Sequence, residues 1–341
     1  NHFKFTIQRA VSKVRAKLNN ADVLKIVGTG TLADPMATLT ATQYTVRNLN
    51  KALTPIQLFA TDGILEPSET DVTSPQAAHF NLFDKWTPGA TETATVKDLS
   101  KKDNFYPYYD RASDIDQTLA TTDQANYVFA SENTNNKQVV GNTTYLAIKA
   151  IYNPKNWVTA CTYDATGDGG FTITTEAATA ATTFHAVNFT GLKQIGGTTN
   201  FQLTNNIFKD DVIAKRILTE VLAANKLYPD GGASIGTTDP TQISENKAKY
   251  DAEFAARFST YTGGACYYRL NIGRSDGVKT IYGIRRNGKY EITINSFKQL
   301  GVATEGKLDD TPEVPVSSQD TYVTATISVA PWKTYTQGGD L

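Results

Sequence analysis

Within the last twenty-one residues, Thr321 to Leu341, the stretch from Tyr322 to Val329 alternates strictly. Val323, Ala325, Ile327 and Val329 take the odd positions and Tyr322, Thr324, Thr326 and Ser328 the even ones, before Pro331 and Trp332. Successive side chains of an extended backbone point to opposite faces, so this pattern encodes a strand with one apolar and one polar, β-branched stripe, made to be buried on one side. It follows Gly306 to Asp320, which carries Pro312 and Pro315, acidic Asp309, Asp310 and Glu313, and few bulky apolar residues. A segment of that composition reads as a leash able to hold the strand away from its own domain. The strand then has two readings: it closes its own sheet, or it pairs with another copy by strand addition.

The rest of the chain is long enough, at 341 residues, to fold as one large or two ordinary domains without staples. Lys and Arg total 33 against 34 Asp and Glu, scattered along the sequence, which leaves no basic footprint for nucleic acid and no polybasic membrane segment. No run approaches the roughly 20 apolar residues that span a bilayer. Abundant threonine, tyrosine, valine and glycine favour strands over helices. The first residue is not methionine and leads directly into an alternating strand, His2 to Gln8, which reads as a mature or trimmed product whose parent begins further upstream.

Further strands are expected at Thr38 to Val46, ended by an Asn-rich turn over 47–51, and at Tyr145 to Tyr152, introduced by Gly141-Asn142-Thr143-Thr144 and closed at Asn153-Pro154. Between them lies a long polar and aromatic loop, residues 61–122. Two segments switch to helical spacing. Asp210 or Asp211 caps a helix that runs to about Tyr228, with Ile213, Ile217 and Val221 on one face and Pro229 ending it; a second, at about Ser244 to Ser259, repeats Tyr250, Phe254 and Phe258 before Gly263-Gly264. Together they make a helical excursion over 209–260. Ala265 to Ile272, Thr280 to Ile284 and Gly288 to Phe297 then predict an antiparallel meander turning at Arg286-Asn287-Gly288.

Catalytic chemistry is sparse. Histidines occur at 2, 79 and 185 only, with no Cys-x-x-Cys, His-Glu-x-x-His or Gly-x-Ser-x-Gly, and no motif calls for a cofactor or metal. The stretch Asp164 to Gly170 lacks the ligand spacing of a calcium loop and reads as a glycine-rich hairpin tip. Tyr106, Tyr108, Tyr109 and Asp110 can either pack the long loop or stack on a sugar whose hydroxyls the carboxylate accepts, an adhesion site for a host glycan or protein. Cys161 and Cys266 leave two outcomes open, a single bridge or two separately buried thiols.

Several stretches, in order, carry a family resemblance. They are Gln8-Arg9-Ala10-Val11-Ser12-Lys13-Val14, Tyr44 to Lys51, Gly141-Asn142-Thr143-Thr144-Tyr145, Cys266-Tyr267-Tyr268-Arg269, Arg286 to Ile294 and the ending Asp320 to Leu341, with Val329-Ala330-Pro331-Trp332-Lys333 inside it. The chain resembles the type V pilins of Bacteroidales, the fimbrillins, and among them the shaft subunits of the short (minor) fimbria of Porphyromonas. The resemblance implies a mainly β fold, a transthyretin-like antiparallel β-sandwich with a two-helix excursion and a C-terminal donor strand. It implies a surface subunit exported as a lipoprotein, trimmed by an arginine-specific protease, and polymerised when the C-terminal strand of one copy fills a groove in the next. In such proteins the Arg9-Ala10-Val11 motif opens the C-terminal domain. The expected organisation is therefore a pilin C-terminal domain over 1–305, a linker over 306–320 and a donor-strand segment over 321–341. Val323, Ala325, Ile327 and Val329 are the plugs and Trp332 the anchor. Expected partners are other copies and accessory subunits in a fimbrium at the outer membrane, and host proteins or glycans; a lipid anchor belongs to the precursor.

Overall fold

A computed structural model describes residues 2–4, 11–50, 105–106, 115–123, 127–133, 139–163, 171–192, 206–232, 236–275, 280–310, 314–319, 322–331 and 338–340. Among these, the strands of four or more residues and the helices run β1 (Val11–Leu18), β2 (Ala37–Arg47), β3 (Val128–Ser131), β4 (Tyr145–Pro154), β5 (Asn156–Tyr163), β6 (Phe171–Ala177), β7 (Phe184–Val187), α1 (Asp211–Ala224), α2 (Pro240–Arg257), β8 (Phe258–Tyr261), β9 (Ala265–Asn271), β10 (Gly288–Phe297) and β11 (Val323–Pro331). The chain is mainly β. Where the sequence suggested one domain over 1–305, contacts divide it into two compact units: Asn1–Leu24, Ala41–Ala150 and Tyr267–Leu341 form the first, Lys25–Thr40 and Ile151–Cys266 the second.

In the first unit one sheet has the order β11–β10–β1–β3. β1 alternates as its sequence dictates, with Ser12, Val14, Ala16 and Leu18 turned inward. A second layer contains the unit's parts of β9, β4 and β2. The layers meet where the Ala16 amide donates to the Tyr44 hydroxyl at 3.1 Å and where the rings of Tyr268 and Phe297 pack edge-on, 4.8 Å apart.

Two details differ from an antiparallel meander. β1 and β10 run parallel, from Lys13 opposite Lys289 to Leu18 opposite Ile294. Parallel neighbours need a long crossover, and here most of the chain separates them, so no turn dictates their direction. β9 and β10 also lie in different sheets. The turn chemistry is as read, with Asn287 left-handed at φ 57°, but its amide donates to Val11 O while Ile284 bridges to Asn133. The turn is thus a corner at which the chain changes sheet, and the local hairpin is instead Gly273–Ser275 against Thr280–Tyr282.

In the second unit the sheet order is β6–β5–Ile207–Phe208–β7–β8. Asp210 caps α1, accepting the Val212 amide at 2.7 Å. Ala214, Ile217, Leu218, Val221 and Leu222 form its buried stripe, packed with Val158, Val187, Phe208 and Tyr250. The helix stops at Ala224, short of Pro229, because Lys226 turns left-handed (φ 62°) and the Leu227 amide reaches back to Leu222 O at 2.9 Å. α2 begins earlier than its aromatic repeat suggested: Asp239 caps it and Pro240 opens it. No helix among the described residues is long and apolar enough to cross a membrane.

Candidate functional site

β11 is docked on its own domain in this structure. It pairs antiparallel with β10 over its whole length, from Phe297 opposite Val323 to Gly288 opposite Pro331, with one bulge between Ile294 and Ser296. Directly opposed residues share a face, so the apolar stripe of β11 lies on the core side with Tyr290, Ile292, Ile294 and Phe297. Val323 is buried, Ala325, Ile327 and Val329 are half-buried, and Thr326, Ser328 and Ala330 are exposed. The half-coverage follows from position, since β11 is the outermost strand of its sheet. Nothing in its nine residues is charged.

The described parts of the segment before β11, 305–310 and 314–319, are seated on the domain. Leu308 and Val316 are buried, short 3-10 turns form at Glu305–Asp309 and Val316–Ser318, and the Val140 amide donates to Val314 O at 3.0 Å. Its main fastening is Arg269 of β9. That guanidinium donates to Asp309 Oδ1 at 2.6 Å, Leu308 O at 3.2 Å, Val140 O at 2.8 Å, Thr143 O at 3.2 Å and Asn271 Oδ1 at 2.7 Å. It lies 3.8 Å from the centroid of the Tyr145 ring, whose hydroxyl donates to Asp309 Oδ2 at 3.1 Å. Burial, then the Asp309 charge, raises the Tyr145 pKa well above its ordinary value, which keeps the hydroxyl a donor. Arg47 adds a 2.8 Å ion pair to Glu305. The leash reading therefore gives way: a composition poor in bulky apolar residues is tied down through charge and backbone carbonyls, which hydropathy does not register.

Trp332, Tyr108, Tyr109 and Asp110 lie outside the described residues, as does Asp164 to Gly170. Tyr106 sits in a two-residue strand opposite Leu49. Cys161 and Cys266 are both buried thiols, Cys161 within the α1 packing cluster and Cys266 at the start of β9. Burial pushes the Cys161 thiol up to about 11, a value that disfavours the reactive thiolate. Among the described residues no cluster of His, Cys, Asp and Glu could hold a metal ion.

Sequence reasoning missed the Arg269–Tyr145–Asp309 fastening and a second buried pair at the sheet-switching corner, where Arg286 meets Glu132 at 2.7 Å with both side chains 2% exposed. The available signal was position. Arg269 alternates with buried Tyr268 and Leu270 on β9, and so points away from their face toward the layer's outer side, where a cation needs a partner.

Residues 259–338 match the family described as major fimbrial subunit protein type IV, fimbrillin, C-terminal. The matched stretch contains β9, β10, the seated segment and β11, and it points to a structural subunit of a surface fimbria that assembles with other subunits. No curated protein matches the chain.

Proposed function

We propose that this chain is a shaft subunit of a bacterial surface fimbria of the Bacteroidales type V kind, without catalytic activity, whose β11 leaves its own sheet edge and inserts into a groove of the neighbouring copy. In this reading the first unit acts as the transthyretin-like sandwich of the resemblance, and the lipid anchor, outer-membrane attachment and accessory subunits belong to the assembled fimbrium. The observation that carries it is β11: an uncharged nine-residue edge strand within the stretch matched by the fimbrial family. Edge strands in proteins that stay monomeric usually carry charge or are covered.

The docked strand defines what exchange must accomplish. Leaving β10 forfeits the burial of Val323 and the ladder hydrogen bonds, and insertion restores both. Net gain comes from Ile327 and Val329, half-buried at the edge; full coverage would add roughly half of the ~1.5–3 kcal/mol that each such side chain carries. Deleting residues 321–341 from the full-length protein tests the reading, with loss of fibres as the expected result. Fibres of normal length and growth rate would refute it. Ile327→Asp, which places a charge in the groove, is expected to abolish polymer that survives unheated denaturing electrophoresis.

A further inference from the structure

We propose that the outer edge of docked β11 pairs antiparallel with the same edge of a second copy, about a two-fold axis at Thr326. This pairing uses the strand where it lies on β10 and does not depend on the exchange proposed above.

Ladder geometry shows which groups the edge offers. Tyr322 O accepts the Lys298 amide at 2.8 Å, so Tyr322 directs its backbone groups toward β10. Alternation along an antiparallel strand then turns those of Thr324, Thr326 and Ser328 toward β10 and those of Val323, Ala325, Ile327 and Val329 outward. Among the described residues no strand hydrogen-bonds to that outer side. Gly273–Ser275 lies near β11 but is paired with Thr280–Tyr282. By contrast β6, the edge strand of the second unit's sheet, carries Glu176, 3.6 Å from Lys209.

The sequence of β11 is self-complementary about Thr326. An antiparallel pair centred there sets Val323 against Val329, Ala325 against Ile327, Thr324 against Ser328 and Thr326 against itself. Opposed residues share a face, so apolar meets apolar on the core side and hydroxyl meets hydroxyl on the solvent side, with no charge in the register. The outward backbone groups belong to the apolar residues, so each new hydrogen-bonded pair also covers part of the half-buried stripe. A two-fold contact uses the same patch on both copies and closes as a dimer. It would hold subunits as inert pairs with β11 docked, a storage form distinct from a growing fibre.

Sedimentation equilibrium of the purified chain is expected to show a monomer–dimer equilibrium between micromolar and millimolar protein. Thr326 is exposed, so Thr326→Lys should fold and melt as the parent does while placing two ammonium groups opposite one another, raising the dimer Kd at least about tenfold. A cysteine scan reads the register. Thr326→Cys is expected to cross-link to itself on oxidation, because a non-hydrogen-bonded pair holds its Cα atoms ~4.5 Å apart, within disulfide range. Thr324→Cys alone should not cross-link, whereas a mixture of Thr324→Cys and Ser328→Cys should. A chain that is monomeric throughout, or in which Thr324→Cys self-links as fast as Thr326→Cys, overturns the pairing. A monomeric chain that still builds fibres refutes the dimer and spares the fimbrial reading; a dimer whose 321–341 deletion leaves fibres intact does the reverse.

Discussion

Removing Arg269 is the sharpest test of how the segment before β11 is held. Its side chain is 7% exposed and makes five hydrogen bonds, of which four tie β9 to Asp309, Leu308, Val140 and Thr143 and the fifth, to Asn271, stays within the strand. Arg269→Ala leaves the Asp309 carboxylate, itself 11% exposed, with the Tyr145 hydroxyl but without its cation. Breaking a buried pair from one side costs about 3–5 kcal/mol, a large share of a typical domain's stability. Arg269→Lys should lose much of the same amount, because an ammonium cannot span the fork of acceptors that the planar guanidinium fills. Native-state hydrogen exchange reads the effect locally. Amides over 305–310 and 314–319 are expected to exchange roughly a hundredfold to a few thousandfold faster, with those of α1 in the second unit unchanged. An acceleration below tenfold there, or an equal one in α1, would refute the view that Arg269 fastens this segment.

At the corner where the chain changes sheet, Glu132→Ala is expected to cost about 3–5 kcal/mol in urea unfolding of the first unit and Glu132→Gln less; replacing Glu132 and Arg286 together by apolar residues should recover much of the loss. His185, stacked on Phe258 and bonded through Nδ1 to Thr260 Oγ1 at 3.0 Å, has its pKa lowered by burial, with Asp211 and Asp210 opposing and Lys215 reinforcing. The unfolded chain therefore binds that proton first. The second unit's stability should fall as pH drops below about 6.5 and recover above it, and His185→Phe should flatten that dependence in a pH series of melting temperatures.

Local patterns were the most legible part of the sequence. Alternation located β2, β4, β10 and β11, and helical spacing located both helices, with a capping aspartate marking the start of α1 only, because these features are written in side-chain periodicity and backbone turn chemistry. Sheet membership was not. Asn287 marks a real turn, yet whether Gly288 pairs with the preceding strand or with β1 is settled by distant Val14, Ala16 and Leu18, whose inward faces demand the same layer as Tyr290, Ile292 and Ile294. The second unit was hidden for a related reason. Residues 25–40 join 151–266 only through tertiary contact, such as Lys155 Nζ with Asp34 at 2.7 Å. The apolar stripe of the terminal strand was plain, but the seating of its leader was not, because that rests on an arginine and an aspartate forty positions apart.

The direct test of the central claim, that β11 must leave β10 for fibres to grow, is a reversible lock. Thr293 and Thr326 are directly opposed on the solvent side, where paired strands hold Cα atoms at a spacing a disulfide accepts. In the full-length protein carrying Thr293→Cys and Thr326→Cys, oxidised while dilute and taken as the monomeric fraction so that the bridge lies within one copy, fibre growth followed by light scattering should stop and should resume on reduction. Growth at the same rate in both states would contradict the account.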